Sequence, residues 1–185
     1  IGTIYDGASH SLEFSNYFFN ADETKILVTT ESTKIYRRSF TANYYVVDLT
    51  TNKATPLFED GPQMLADFSP DGSKVAFVFE NNIYIKNLAD NSITQVTDDG
   101  KQNAIINGSS DWVYEEEFSE TKAFYWSPLG TKIAYLKFDE REVTDFTMDY
   151  YRGGTYPTPY TFKYPKAGED NSKLSLFVYT LEGEK

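Results

Sequence analysis

Three consecutive carboxylates follow two large aromatics in the segment Asp111-Trp112-Val113-Tyr114-Glu115-Glu116-Glu117, within an otherwise strand-like chain. Acids packed this closely repel one another unless a cation offsets them. The chemistry open to such a cluster is therefore to grip a cationic group. A peptide's terminal ammonium, with a free pKa of about 7.7 to 8.0, would provide the offset on binding, and the Arg37 guanidinium could do so permanently. Asp111 is placed to cap a short helix, because its carboxylate can accept a backbone N–H two or three residues on, with the glutamates following in the first turns. Successive helical side chains point about 100° apart. Glu116 and Glu117 could therefore flank one ligand while Glu115 turns toward the scaffold. Taken by itself, the triplet could equally be a solvated acidic turn.

The elements that must position this segment read as β structure. Three stretches align: Phe19-Asn20-Ala21-Asp22-Glu23-Thr24-Lys25-Ile26-Leu27-Val28, Phe68-Ser69-Pro70-Asp71-Gly72-Ser73-Lys74-Val75-Ala76-Phe77 and Trp126-Ser127-Pro128-Leu129-Gly130-Thr131-Lys132-Ile133-Ala134-Tyr135. Each is an aromatic, a tight turn, a lysine and a hydrophobic strand. Their spacings of 49 and 58 residues lie close to the roughly 40 to 50 of propeller blades once loop insertions are allowed. In the second and third copies Ser-Pro opens the turn and Gly72 or Gly130 tolerates positive φ, whereas the first copy has neither. Residues 43–49, 82–87 and 174–180 are further strand candidates between polar turn clusters. A blade buries its faces only against its neighbours, so the repeat implies stacked sheets. The fold class expected is all-β: a partial propeller of about three blades plus the start of a fourth.

Composition narrows the partners. Seventeen basic against 28 acidic side chains leave a net charge of −11, which argues against nucleic acid, since phosphate binding needs clustered Lys and Arg. Zero cysteines exclude disulfides and Cys-ligated zinc. The longest apolar runs, such as residues 75–79, span about five residues against the roughly 20 that cross a bilayer. Asp98-Asp99-Gly100 matches a fragment of a calcium loop without the remaining ligand spacing, so a polar turn is expected, with no metal and no cofactor. Asn107-Gly108-Ser109 satisfies the glycosylation acceptor rule, or is a loop before the cap. Gly153-Gly154, with Pro157 and Pro159, reads as an irregular connection.

The segment 111–117 resembles, letter for letter, the double-glutamate motif of the dipeptidyl peptidase IV family, within the prolyl oligopeptidase family. Arg37-Arg38-Ser39-Phe40-Thr41-Ala42-Asn43-Tyr44 and Tyr164-Pro165-Lys166-Ala167-Gly168 resemble it too, in the same order, so the likeness spans most of the chain. It implies an eight-bladed N-terminal propeller of which residues 1–185 are a fragment, with a catalytic α/β-hydrolase domain beyond Lys185. It also implies that Glu116 and Glu117 bind the substrate's α-ammonium, with Glu115, Asp111, Trp112 and Tyr114 supporting the segment. Arg37 corresponds to the arginine that pairs with one of these glutamates and reaches the carbonyl of the substrate's second-from-scissile residue, a double task suited to the guanidinium fork. Arg38 departs from the mammalian pattern, where histidine follows the arginine, and its role stays open. The turn at residues 164–168 carries no chemistry.

No Gly-x-Ser-x-Gly elbow is present. His10, the one histidine, has no Ser or Cys motif beside it and reads as a surface or packing residue. The chain is thus expected to hold no catalytic residue. The resemblance implies that its parent is a serine exopeptidase releasing N-terminal dipeptides with Pro or Ala second, the glutamates acting as a ruler. Alternatives are a tripeptidyl relative and a noncatalytic propeller with an acidic peptide-binding mouth. The partners expected are peptides with a free N-terminus, the rest of the propeller and the hydrolase domain, with a homodimer left open. An exported bacterial protein, periplasmic or at the cell surface, is the localisation expected.

Overall fold

The computed structural model describes residue 4, residues 11–151 and residues 153–181. His10 lies outside the described residues. Two complete four-stranded antiparallel meanders come first. One consists of β1 (Asn16–Phe19), β2 (Lys25–Lys34), β3 (Phe40–Asp48) and β4 (Lys53–Pro56), the other of β5 (Met64–Phe68), β6 (Lys74–Phe79), β7 (Asn82–Asn87) and β8 (Ile93–Gln95). The third sheet is interrupted. β9 (Ile105–Asn107) and β10 (Phe124–Trp126) pair with different stretches of β11 (Lys132–Asp139), and β14 (Lys173–Thr180) pairs with β11 along its whole length. Between β9 and β10 runs α1 (Trp112–Phe118). Between β11 and β14 a separate hairpin is inserted, β12 (Asp145–Tyr150) with β13 (Thr158–Lys163).

The three aligned stretches each form the first turn of a sheet, and the first copy adopts the same geometry without the Ser-Pro and Gly letters. Backbone bonds Asn20 N to Lys25 O (3.0 Å), Ser69 N to Lys74 O (2.9 Å) and Ser127 N to Lys132 O (2.8 Å) close equivalent loops. Asn20 Oδ1 accepts from Lys25 N at 2.9 Å, as the Ser69 and Ser127 hydroxyls accept from Lys74 N and Lys132 N. Glu23, with φ of 58°, takes the left-handed position that Gly72 and Gly130 occupy at 68° and 69°. A side chain with an acceptor at the right reach thus replaces serine, and the glycine replacement costs only local strain.

Packing stacks the sheets face to face. In β6 the four residues Val75-Ala76-Phe77-Val78 are all fully buried, because Val75 and Phe77 join Leu27, Tyr44 and Val46 of the first sheet while Ala76 and Val78 join Ile83, Phe124 and Ile133 toward the third. A strand alternates its side chains between two faces, so burial at every position requires a cover on both. Gly108 marks the close approach. It has φ of 76°, and a Cβ there would lie 2.7 Å from Ile83 Cγ1.

Gly153, Gly154 and Pro157 lie in an irregular stretch, as expected, but the reading of Pro159 is corrected by the inserted hairpin. Pro159 lies inside β13 opposite Asp149, and the irregular stretch is confined to the tip. A two-stranded sheet leaves an outer edge unpaired, where proline's missing N–H is tolerated. Asn107 is fully buried, its Nδ2 donating to Asn81 O and Asp99 Oδ1, which removes it as a sugar acceptor.

The outer sheets leave apolar faces open: Tyr17, Phe18 and Phe19 on β1, and Leu176, Phe177 and Val178 on β14. Such faces and edges pair with whatever is available. At micromolar concentration the 185-residue chain is expected to self-associate in sedimentation velocity, and a monodisperse monomer with well-protected amides would contradict this.

Candidate functional site

Helix α1 begins where its cap directs. Asp111 is extended and its Oδ1 accepts from Tyr114 N at 2.9 Å, while Ser172, just before β14, donates to the other carboxylate oxygen. The helix ends at Ser119, which is left-handed with φ of 58° and returns its N–H to Tyr114 O. Its aromatic side is wedged in place. The Trp112 ring lies 4.3 Å from that of Tyr164, and Tyr114 packs edge-on to Phe138 at 5.2 Å. Trp112 and Tyr114 thus lean on opposite supports, the end of the inserted hairpin and the third sheet.

The three glutamates separate by direction, as the helical spacing predicts. Glu115 is 1% exposed and its Oε1 accepts two backbone N–H groups, from Arg38 at 2.6 Å and from Ser39 at 2.9 Å. Those donors belong to residues 35–39, the tight reversal between β2 and β3, which is closed by Ile35 N to Ser39 O at 3.0 Å. One buried carboxylate therefore fastens the third sheet's helix to the first sheet's bend. Charge-assisted bonds of this kind are stronger than neutral ones.

Glu116 and Glu117 face the other way. Arg37 Nε donates to both Glu116 oxygens, at 2.9 and 3.0 Å, with the Arg37 side chain 70% exposed and that of Glu116 18%. The terminal guanidinium nitrogens of Arg37 have no partner among the described residues. Glu117 is exposed, and its carboxylate makes no hydrogen bond or ion pair among the described residues. The result is a half-neutralised acidic corner: one carboxylate held by an arginine, one open, and guanidinium donors beside them. This arrangement can take an ammonium on the glutamates and a carbonyl oxygen on the arginine.

Arg38, whose role the sequence left open, clamps the helix end. Its Nη2 donates to Ser119 Oγ at 2.9 Å and Nη1 approaches Glu115 O at 3.5 Å, a cation where the helix dipole is negative. Sequence reasoning missed Ser172, Arg38's contacts and Glu140. Glu140 is buried at 5% exposure near Asp111, and that burial, followed by the Asp111 charge, pushes its carboxyl up to about 7. Asp99, from the calcium-like fragment, is engaged by Asn107 and by Lys137 at 2.6 Å.

Replacing Glu115 with Ala strands the buried Ser39 N–H and the part-buried Arg38 N–H, and an unsatisfied buried donor costs about 1 to 3 kcal/mol. Urea unfolding should report a loss of roughly 3 kcal/mol, and Glu115→Gln, which keeps one acceptor, should lose less.

Comparison with known proteins supplies the remaining findings. A family model described as the dipeptidyl peptidase IV (DPP IV) N-terminal region matches residues 20–185. Prolyl endopeptidase FAP of Bos taurus is 38% identical over 170 residues, covering 91% of this chain and 22% of that protein. Dipeptidyl peptidase 4 of Felis catus is 37% identical over 182 residues, covering 95% and 23%. The crystal structure of Porphyromonas gingivalis dipeptidyl peptidase 4 superimposes with a TM-score of 0.87 at 43% identity, over 91% of this chain and 24% of that one. The chain spans about a quarter of the length of these relatives.

Proposed function

The chain belongs to the dipeptidyl peptidase IV family, as part of its N-terminal region, and on that premise we propose that α1 and Arg37 are the substrate-recognition end of a serine exopeptidase. In this reading the α-ammonium of a peptide sits between Glu116 and Glu117, and the free guanidinium nitrogens of Arg37 take a carbonyl oxygen of the same peptide. The glutamates fix the amino terminus at a set distance from a nucleophile in an α/β-hydrolase domain of the longer protein. Two residues then precede the scissile bond, with Pro or Ala second. Binding energy is converted into positioning. The rest of an eight-bladed propeller would cover the apolar faces of β1 and β14. Acting on peptides would suit an exported protein, periplasmic or at the cell surface. Among the described residues no helix is long and apolar enough to cross a membrane.

The observation that carries this reading is the split of the triplet. Glu115 is consumed by the Arg38 and Ser39 N–H groups, while Glu116 and Glu117 project on the outer side beside an arginine from another sheet. A merely solvated acidic turn has no need of a buried anchor 76 residues distant in sequence.

In the full-length protein, Glu116→Ala and Glu117→Ala are each expected to lower kcat/KM on Gly-Pro or Ala-Pro amides by roughly 30-fold to several-thousandfold, the range for truncating one partner of a desolvated charge pair. Arg37→Ala should fall between these variants and the parent. N-acetylated substrates should be poor for the parent and should not discriminate it from the variants, because the partner is the ammonium. Folded variants with near-parental activity on free-amine substrate would refute the reading. Binding of free-amine peptides without turnover by the parent would assign it instead to a noncatalytic recognition module.

A further inference from the structure

Three acids are buried among the described residues, and all three lie around α1: Asp111, Glu115 and Glu140. The first two have their donors, Tyr114 N and Ser172 for Asp111 and the two bend N–H groups for Glu115. Glu140 has no hydrogen-bond donor to its carboxyl among the described residues. It is nevertheless rigidly placed directly after β11, its N–H donating to Ala104 O at 2.8 Å and its carbonyl accepting from Val143 N at 2.9 Å. Its side chain lines a cavity of about 360 Å3 together with Glu115, Tyr36 and Tyr160. This cavity lies behind the helix that displays Glu116 and Glu117.

The charges around Glu140 are unfavourable to a carboxylate. From the helix and its cap come Asp111 and Glu115. From the bend after β2 comes Tyr36, whose phenol burial pushes up, and from β13 comes Tyr160 beside it. The nearby cation is Lys163, but its ammonium already donates to Val143 O at 2.8 Å and pairs with Asp145 at 3.0 Å. Arg141 and Glu142, next in sequence, are engaged with Asp139 and Lys173 at the surface. A buried acid in such a setting keeps its proton, because the neutral form needs neither a counter-ion nor full solvation.

We propose that Glu140 is a positioning residue for α1: its neutral carboxylic acid seats the helix from behind, and its ionisation loosens that seat and weakens capture of an amino terminus. The carboxyl is held up to about 7, first by burial and then by Asp111, with partial relief from Lys163. Ionisation therefore adds a third buried negative charge behind the helix within the neutral range. The sign for stability follows from proton uptake. Between the ordinary carboxyl pKa and about 7 the folded protein binds the extra proton, so stability falls as pH rises through that window and stays low above it.

The inference rests on the reading of α1 as an amine site, and one of its readouts is independent of that reading. In the full-length protein, KM for a Gly-Pro amide is measured from pH 5.5 to 9 for the parent and Glu140→Gln, which keeps the shape of the neutral acid. The parent's KM should rise roughly fivefold, the low end of coupling between sites, with a midpoint near 7. The Gln variant should lack that step. Both should share the later rise at about pH 7.7 to 8.0 as the substrate ammonium loses its proton. Without substrate, the emission of Trp112 in α1 should titrate near 7 in the parent and not in the variant. Identical KM profiles, or a parental KM that falls above pH 7, would overturn the proposal, as would Trp112 emission indifferent to Glu140. A Trp112 titration that persists while activity is blind to N-acetylation would support the seat and refute the amine site.

Discussion

The structure turns on one carboxylate. Glu115 accepts the N–H groups of Arg38 and Ser39 from inside the protein, and that junction joins a helix of the third sheet to a bend of the first. Remove it and the two halves of the acidic corner part company, because Glu116 is carried by α1 and Arg37 by the bend. The Arg37–Glu116 pair alone could not hold them. With the Arg37 side chain 70% exposed, the pair is of the surface type, worth little by itself. The buried anchor supplies the rigidity, and the exposed pair leaves a carboxylate and a guanidinium at the surface.

The same division of labour runs through the stacked sheets. The middle sheet is buried on both sides of β6, which makes it the rigid spacer between the bend and the helix. The third sheet gives up regularity to admit the helix, since one edge of it is split into β9 and β10 with α1 between them. The inserted hairpin then repairs the gap with aromatics: Phe162 and Tyr164 receive Trp112. An interruption that would weaken an isolated sheet is tolerated because ring packing replaces the lost ladder.

Electrostatics explains why the acidic surplus does not undo the site. Each acid near α1 is treated differently. Asp111 is spent on a cap, Glu115 on backbone donors and Glu116 on a guanidinium, which leaves the exposed Glu117 as the open charge. Glu140 stands apart from these as a buried acid held near neutrality. Four like charges within one short region coexist because three are matched to fixed donors and none of those donors is shared.

How much of this was legible in the chain depends on distance along it. The cap, the helix over the triplet and the divergence of Glu115 from Glu116 and Glu117 follow from a few neighbouring residues and the 100° helical step, so the sequence by itself determined them. It also determined the three turns, even the first, where Asn20 and Glu23 do the work of Ser and Gly. The resemblance of residues 37–44 and 111–117 to one family pointed to Arg37 and the glutamates as partners before any geometry was known. The tertiary structure alone decided that Glu115 meets the Arg38 and Ser39 N–H groups, that Ser172 completes the Asp111 cap, that Arg38 closes the helix, that Asn107 is buried and that Pro159 lies in a strand paired with Asp145–Tyr150. It alone placed Glu140 behind the helix. These contacts link residues dozens of positions apart, and no local propensity specifies them. They exist only once the sheets have stacked, because burial is a property of what covers a residue and not of the residue itself.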